Sequence, residues 1–126
     1  MIAHYAPLAL AGALGTLLRA GCTTVAIHWF GAGFPAGTIA VNVLGSFAFG
    51  AVMGASRATG LPPTGLETIV LVGLLGGFTT YSSFAFQSFE LLETGRPLAA
   101  VVFILGTNVL AIAAVWAGLR LCGGAA

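Results

Sequence analysis

The chain has 126 residues, of which 59% are hydrophobic and only 6% charged, and its formal net charge is +1. A soluble domain carries about 25% charged residues, so a composition with mean hydropathy +1.08 excludes an ordinary soluble fold. It equally lacks the clustered basic face of a nucleic-acid-binding protein. The fixed charges are four arginines and three glutamates, with neither lysine nor aspartate. This is the composition of an integral membrane protein.

The amino terminus has no basic stretch of the kind that opens a secretory signal, its first arginine being Arg19. It reads as a retained first span, running from Ala6 to Ile27. Ala9, Gly12, Ala13 and Gly15 give that span small residues, which let helix backbones approach closely. Arg19 is the one charge well inside a span, where a lone arginine costs from about 3 kcal/mol upward. Snorkelling, pairing with a carbonyl and holding an anion near an entrance are its three open roles. His4 and His28 read as interfacial. Cys22 and Cys122 show no CxxC pairing or His/Cys cluster and read as small apolar residues.

Gly31, Gly33 and Pro35 mark the first turn, and the second span runs from Phe34 to Ala55. Thr38, Asn42 and Ser46 recur at intervals of four, which places them along one helix face. Asn42 is the deepest, and its amide carries two donor N–H groups and an acceptor oxygen. The stripe serves either as interhelical glue or as the lining of a pathway. Gly50 and Gly54 form a GxxxG pair further along.

Gly60, Pro62 and Pro63 form the second turn, and the third span runs from Leu66 to Phe89. Its stretch Gly73–Ser88, GLLGGFTTYSSFAFQS, is the unusual part of the chain. Gly73 and Gly77 form a second GxxxG pair. Gly76 and Gly77, followed by Phe78, Thr79 and Thr80, predict a break in the helix. Non-helical backbone at membrane depth survives only where protein or water satisfies it, so Gly76 to Phe84 is the expected working part. A break frees carbonyl oxygens, which are good ligands for a hard cation, monovalent or weakly held in the absence of a nearby carboxylate; the bland alternative is a glycine-softened helix. Tyr81, Phe84 and Ser88 share one face, and Thr80, Ser83 and Gln87 an adjacent one. The two rings either pack or turn their positive edges toward an anion. Glu67, Glu90 and Glu93 read as solvated end charges.

Gly95 and Pro97 make the third turn, and the fourth span runs from Leu98 to Leu121, with proline at a position where a helix loses no hydrogen bond. Arg57 and Arg120 then fall on the amino-terminal side and Arg96 on the other. That is close to no orientational bias, leaving insertion both ways or one fixed topology equally open. Four thin helices enclose too little interior for a pore, so an oligomer is expected.

These residues resemble the fluoride ion channels of the Fluc/CrcB type. GGFTTYSSF is similar to that family's GGxTTFSTF break in the third helix. GTIAVNVLGSFAFG resembles its GTLxxNxxGxxxxG second helix, and AGALGTLLRA its glycine-rich first helix ending in arginine. The resemblance covers essentially the whole chain. It implies an all-α membrane protein of four transmembrane helices, the third broken near its middle, in an antiparallel dual-topology homodimer of the bacterial inner membrane. It further implies passive, fluoride-selective conduction through two pores at the dimer interface. A structural sodium ion (Na+) at the dimer centre is implied on the backbone carbonyls of Gly76 and Thr79. The implied fluoride pore takes Asn42, Tyr81, Ser82, Ser83, Phe84 and Thr107, with Arg19 at an entrance. Two departures stand out: Tyr81 where the family has phenylalanine, and Phe103, Thr107 and Ala111 where relatives carry a polar track on the fourth helix. Asn108 is a further polar group there.

Two rival readings remain from sequence. A small dual-topology exporter of cationic drugs needs a membrane-embedded carboxylate, and no glutamate here is central to a span. A structural or holin-like membrane subunit would use its polar residues for packing alone. No nucleophile–base pair or metal cluster suggests an enzyme.

Overall fold

The computed structural model describes residues 2–60 and 64–123, with side chains from Tyr5 onward. The side chain of His4 and the turn prolines Pro62 and Pro63 lie outside the described residues. The secondary structure of the described residues is all helical. Helix α1 is Ile2–Phe30 and α2 is Ala36–Thr59. The third span is built from α3 (Gly65–Thr68), a π-helical segment (Ile69–Leu74), α4 (Leu75–Phe78) and α5 (Tyr81–Glu93), and α6 is Pro97–Gly123. Four stretches are long and apolar enough to cross a membrane: Tyr5–Phe30, Ala36–Thr59, Gly65–Glu93 and Pro97–Gly123. They match the four predicted spans, extended by a few residues at the ends except that the second begins at Ala36 and not at Phe34.

The turns lie where glycine was expected, and for a conformational reason. Gly31, Gly60 and Gly95 have φ of 77°, 65° and 71°, a left-handed region that residues with a β-carbon rarely enter. Pro35 caps α2 and Pro97 opens α6. Thr64 and Glu67 form a reciprocal capping box at the start of α3, satisfying two backbone donors that would otherwise enter the membrane unpaired. The Arg96 guanidinium donates to the Gly33 carbonyl and ties two turns together at one end of the bundle.

Packing is by close backbone approach. α2 lies against α6 with almost nothing between them: a β-carbon added at Gly50 would sit 2.2 Å from the Val115 carbonyl oxygen, and one at Gly118 2.3 Å from that of Phe47. α1 lies equally close to the first half of the third span. The break then redirects the chain. Before it, the third span rests on α1; after it, α5 packs on α6 through Phe84, Leu91, Ala100 and Phe103. Much of the outer surface is large and apolar, including Leu10, Trp29, Val72, Leu98 and Ile112, as a lipid-facing surface should be.

The π-helical segment has no counterpart in the sequence reading. The Leu75 N–H reaches back five residues to the Val70 carbonyl, a wide turn that recurs at functional sites in other proteins.

Candidate functional site: a polar cleft at the helix break

The break falls on two threonines. Thr79 has φ −81° and ψ 161°, and Thr80 φ −150° and ψ 117°, both extended. Both lie in the expected run Gly76 to Thr80, whose two glycines remain helical within α4. Gly77 is needed for contact instead, because a β-carbon there would lie 2.4 Å from the Gly12 carbonyl oxygen of α1.

Asn42 holds the break open. The Thr80 N–H donates to Asn42 Oδ1 at 2.9 Å, and Asn42 Nδ2 donates to the Thr80 carbonyl at 3.1 Å. One side-chain amide thus takes both hydrogen bonds that a neighbouring strand would make. Thr80 also caps α5: its Oγ1 accepts from the Ser83 N–H at 3.3 Å and donates to Ser83 Oγ at 3.0 Å. Thr79 closes α4, its N–H and hydroxyl both donating to the Leu75 carbonyl, at 3.0 and 2.9 Å.

These bonds decide which carbonyls are released. In an uninterrupted helix each carbonyl accepts from the N–H four residues on, so Gly76 would accept from Thr80 and Thr79 from Ser83. Both N–H groups point elsewhere, to Asn42 and to the Thr80 hydroxyl. The Gly76 and Thr79 carbonyls therefore lack their helical N–H partners near the middle of the span, as the other carbonyls between α4 and α5 do, and carbonyl oxygens of this kind suit a sodium ion. Replacing Thr80 by valine should remove the α5 cap and lower stability by about 1 kcal/mol, read as a lower melting temperature in detergent. An unchanged melting temperature would show that the cap contributes little.

Beside the break lies a cleft of about 360 Å³. Asn42, Gly76, Thr79, Tyr81, Phe84 and Thr107 all line it, so residues from three spans converge there. Ser46, Thr80 and Asn108 also face it, and its lining includes no charged side chain. Ser82 is exposed and outside the lining, Ser83 is engaged with Thr80, and Arg19 is partly buried on α1 away from the cleft.

The rings form a continuous file. Tyr81 and Phe84 have centroids 5.7 Å apart, Phe84 and Phe103 5.2 Å, and Phe34 and Phe103 5.9 Å edge to face. The ends differ sharply: Phe84 is 8% exposed and Phe103 fully buried, whereas Tyr81 is 79% exposed. Phe103 anchors Phe84 in the core. The Thr107 hydroxyl donates to the Phe103 carbonyl at 2.6 Å and so serves its own helix. The polar stripe of α2 is likewise engaged at Thr38, whose hydroxyl donates to Gln87 Oε1 at 2.6 Å. Sequence spacing placed both residues on polar faces; that the two faces meet depends on the angle at which α5 leaves the break.

Four long apolar spans, one of them broken near its middle beside an uncharged polar cleft, and an apolar outer surface define a multi-pass membrane protein. The chain belongs to the CrcB family: the family model described as CrcB-like protein, Camphor Resistance (CrcB), matches residues 6–119. It is 42% identical over 113 residues to the fluoride-specific ion channel FluC of Citrifermentans bemidjiense, covering 89% of this chain and 90% of that one. The proteins of the same name from a Geobacter species and from Nitratidesulfovibrio vulgaris are each 43% identical over 113 residues, with the same coverage.

Proposed function

We propose that this chain is a passive, fluoride-selective channel that lets fluoride leave the cell, working as a dimer of two oppositely oriented copies in the bacterial inner membrane. The observation that carries the proposal is the uncharged cleft at the helix break, where the Asn42 amide and the Tyr81–Phe84 ring pair stand together. Relatives alike over almost the full length, and named fluoride-specific ion channels, support it.

The mechanism follows from the ion. Hydrogen fluoride crosses membranes uncharged and dissociates in a more alkaline cytoplasm, trapping the anion. A passive path lets the membrane potential drive it out. Fluoride is small and tightly hydrated, so its water must be replaced by donors along a narrow route. Asn42 keeps one N–H beyond the bond it gives Thr80, and the positive edge of an aromatic ring adds a weak electropositive wall. Larger halides fit such a route poorly. Tyr81 adds a hydroxyl where the family pattern it resembles has phenylalanine, and Tyr81→Phe should change the conduction rate while keeping fluoride over chloride selectivity. Comparable chloride flux in that variant would make the hydroxyl part of the selectivity filter.

Sodium, when bound, supplies positive charge that offsets part of the anion's desolvation. The carbonyls of Gly76 and Thr79 would hold it, two from each copy. Protein prepared and assayed without sodium should then lose fluoride flux and regain it on adding the ion. Undiminished flux after exhaustive sodium removal would overturn that part of the reading.

Exposure of Tyr81 at the mouth of the cleft, and the near balance of Arg57 and Arg120 against Arg96, support a second, inverted copy. Cys122 is exposed near the end of α6. In a Cys22→Ser background, a membrane-impermeant thiol reagent should reach Cys122 equally from either side of the membrane. Labelling from one side alone would rule out dual topology.

The test of the function itself is fluoride release from liposomes carrying the purified protein, followed by electrode with chloride in parallel. Rapid fluoride release with negligible chloride is expected. A drug exporter would show neither, and its required carboxylate is missing: Glu67 lies in the first turn of the third span, and Glu90 and Glu93 in the last turn of α5.

A further inference from the structure

We infer that Asn108 is a fluoride-contacting residue of this cleft, supplying the hydrogen-bond donor on the α6 wall; the inference rests on the channel reading above. α6 contributes Thr107, Asn108, Ala111 and Val115 to the lining. Ala111 and Val115 have no polar side-chain atom. Thr107 is 4% exposed, and its one hydroxyl hydrogen is given to the Phe103 carbonyl. Phe103, one turn further back, is fully buried against Phe84. The α6 wall can therefore donate to an anion through Asn108 alone.

Asn108 has a donor to give. A carboxamide carries two N–H hydrogens and an acceptor oxygen. Nδ2 donates once, to the Ile104 carbonyl at 2.7 Å, which fixes the side chain against its own helix. The second N–H remains for the cleft. The residue is exposed in the single chain and sits near the middle of Pro97–Gly123. An amide at that depth is costly against lipid unless protein or a water-filled cavity receives it.

The threonine hydroxyls of the break sharpen the point. Thr79 donates to the Leu75 carbonyl and Thr80 to Ser83 Oγ. Neither can turn its hydrogen to an anion without giving up a bond that maintains the break. On the α2 side the second N–H of Asn42 is available. Asn108 faces the same cleft from α6, so a dehydrated anion there is met by an amide on each wall.

The test compares Asn108→Leu and Asn108→Gln with wild type, measuring fluoride efflux from liposomes and melting temperature in detergent. Asn108→Leu should slow efflux about tenfold, the scale of one hydrogen bond to a charged group, at an unchanged melting temperature. Asn108→Gln, which keeps the amide, should retain most of the flux. A conducting wild type beside an equally fast Asn108→Leu would overturn this inference alone. So would a loss in both variants that tracks a fall in melting temperature, since that is a packing role. A silent wild type would overturn the channel reading and this inference with it.

Discussion

Asn42→Asp should abolish fluoride efflux while leaving a protein that still inserts. The aspartate is nearly the same size but lacks the N–H that Asn42 gives to the Thr80 carbonyl, and when ionised it is an acceptor only. A carboxylate facing a carbonyl oxygen repels it, so half of the stitch between α2 and the break is lost. A second penalty falls on the ion. Two like charges 4 Å apart at an effective dielectric of 20 repel by about 4 kcal/mol, so an ionised carboxylate at this position would slow an anion by roughly three orders of magnitude. Asn42→Ala separates the two effects. It removes the stitch without adding charge, so its flux should fall less than that of the aspartate variant, and it should melt earlier than wild type. Wild-type flux in Asn42→Ala would show that the amide neither holds the break nor meets the ion.

The second large effect is expected where helices touch backbone to backbone. At Gly15 a β-carbon would lie 2.1 Å from the Leu74 carbonyl oxygen and 2.9 Å from the Phe78 nitrogen. These neighbours are main chain, so no side-chain rotation relieves the clash. Overpacking of this kind costs about 1–3 kcal/mol and sometimes more. Here it also pushes α1 away from the segment that ends in the break. Gly15→Leu should therefore fail to give a monodisperse protein in detergent, and Gly118→Leu should do the same by parting α6 from α2. Gly21 is the control: nothing lies within 4 Å of its added β-carbon, so Gly21→Ala should purify like wild type. A well-behaved Gly15→Leu would mean that α1 is not seated as described.

The spans and turns were legible in the sequence because lipid imposes a blunt demand. About twenty apolar residues are needed to cross, and the chain can reverse only where polar turn residues allow it. Gly31, Gly60 and Gly95 announced those reversals, and each takes a positive φ. The disturbed stretch of the third span was equally legible, since paired glycines beside paired threonines are unusual at membrane depth. Its detail was not. Sequence reasoning put the break within Gly76 to Thr80, and extended backbone falls on its last two residues, Thr79 and Thr80, while Gly77 is held to glycine by α1. What fixes the break there is the Asn42–Thr80 pairing, a contact between residues far apart in the chain. Local propensity carries no trace of it.

The same limit explains the site. Spacing put Thr38, Asn42 and Ser46 on one face but could not say that Thr38 would be engaged by Gln87 and Asn42 by the Thr80 backbone. Thr107 stood at the right interval on the fourth helix, and its hydroxyl is turned to the Phe103 carbonyl. Asn108, one residue on, was the less obvious candidate, because an interval of four favours its neighbour. Both residues line the cleft, but only Asn108 keeps a hydrogen to donate.

The most direct test of the central claim is the reversal potential of the current carried by the purified protein in a planar bilayer, with a fluoride gradient and equal chloride on both sides. A fluoride-selective channel should reverse at the fluoride equilibrium potential, about 59 mV for each tenfold gradient, and should not shift when a chloride gradient is added to it. A reversal that follows chloride, or no current from well-folded protein, would contradict it.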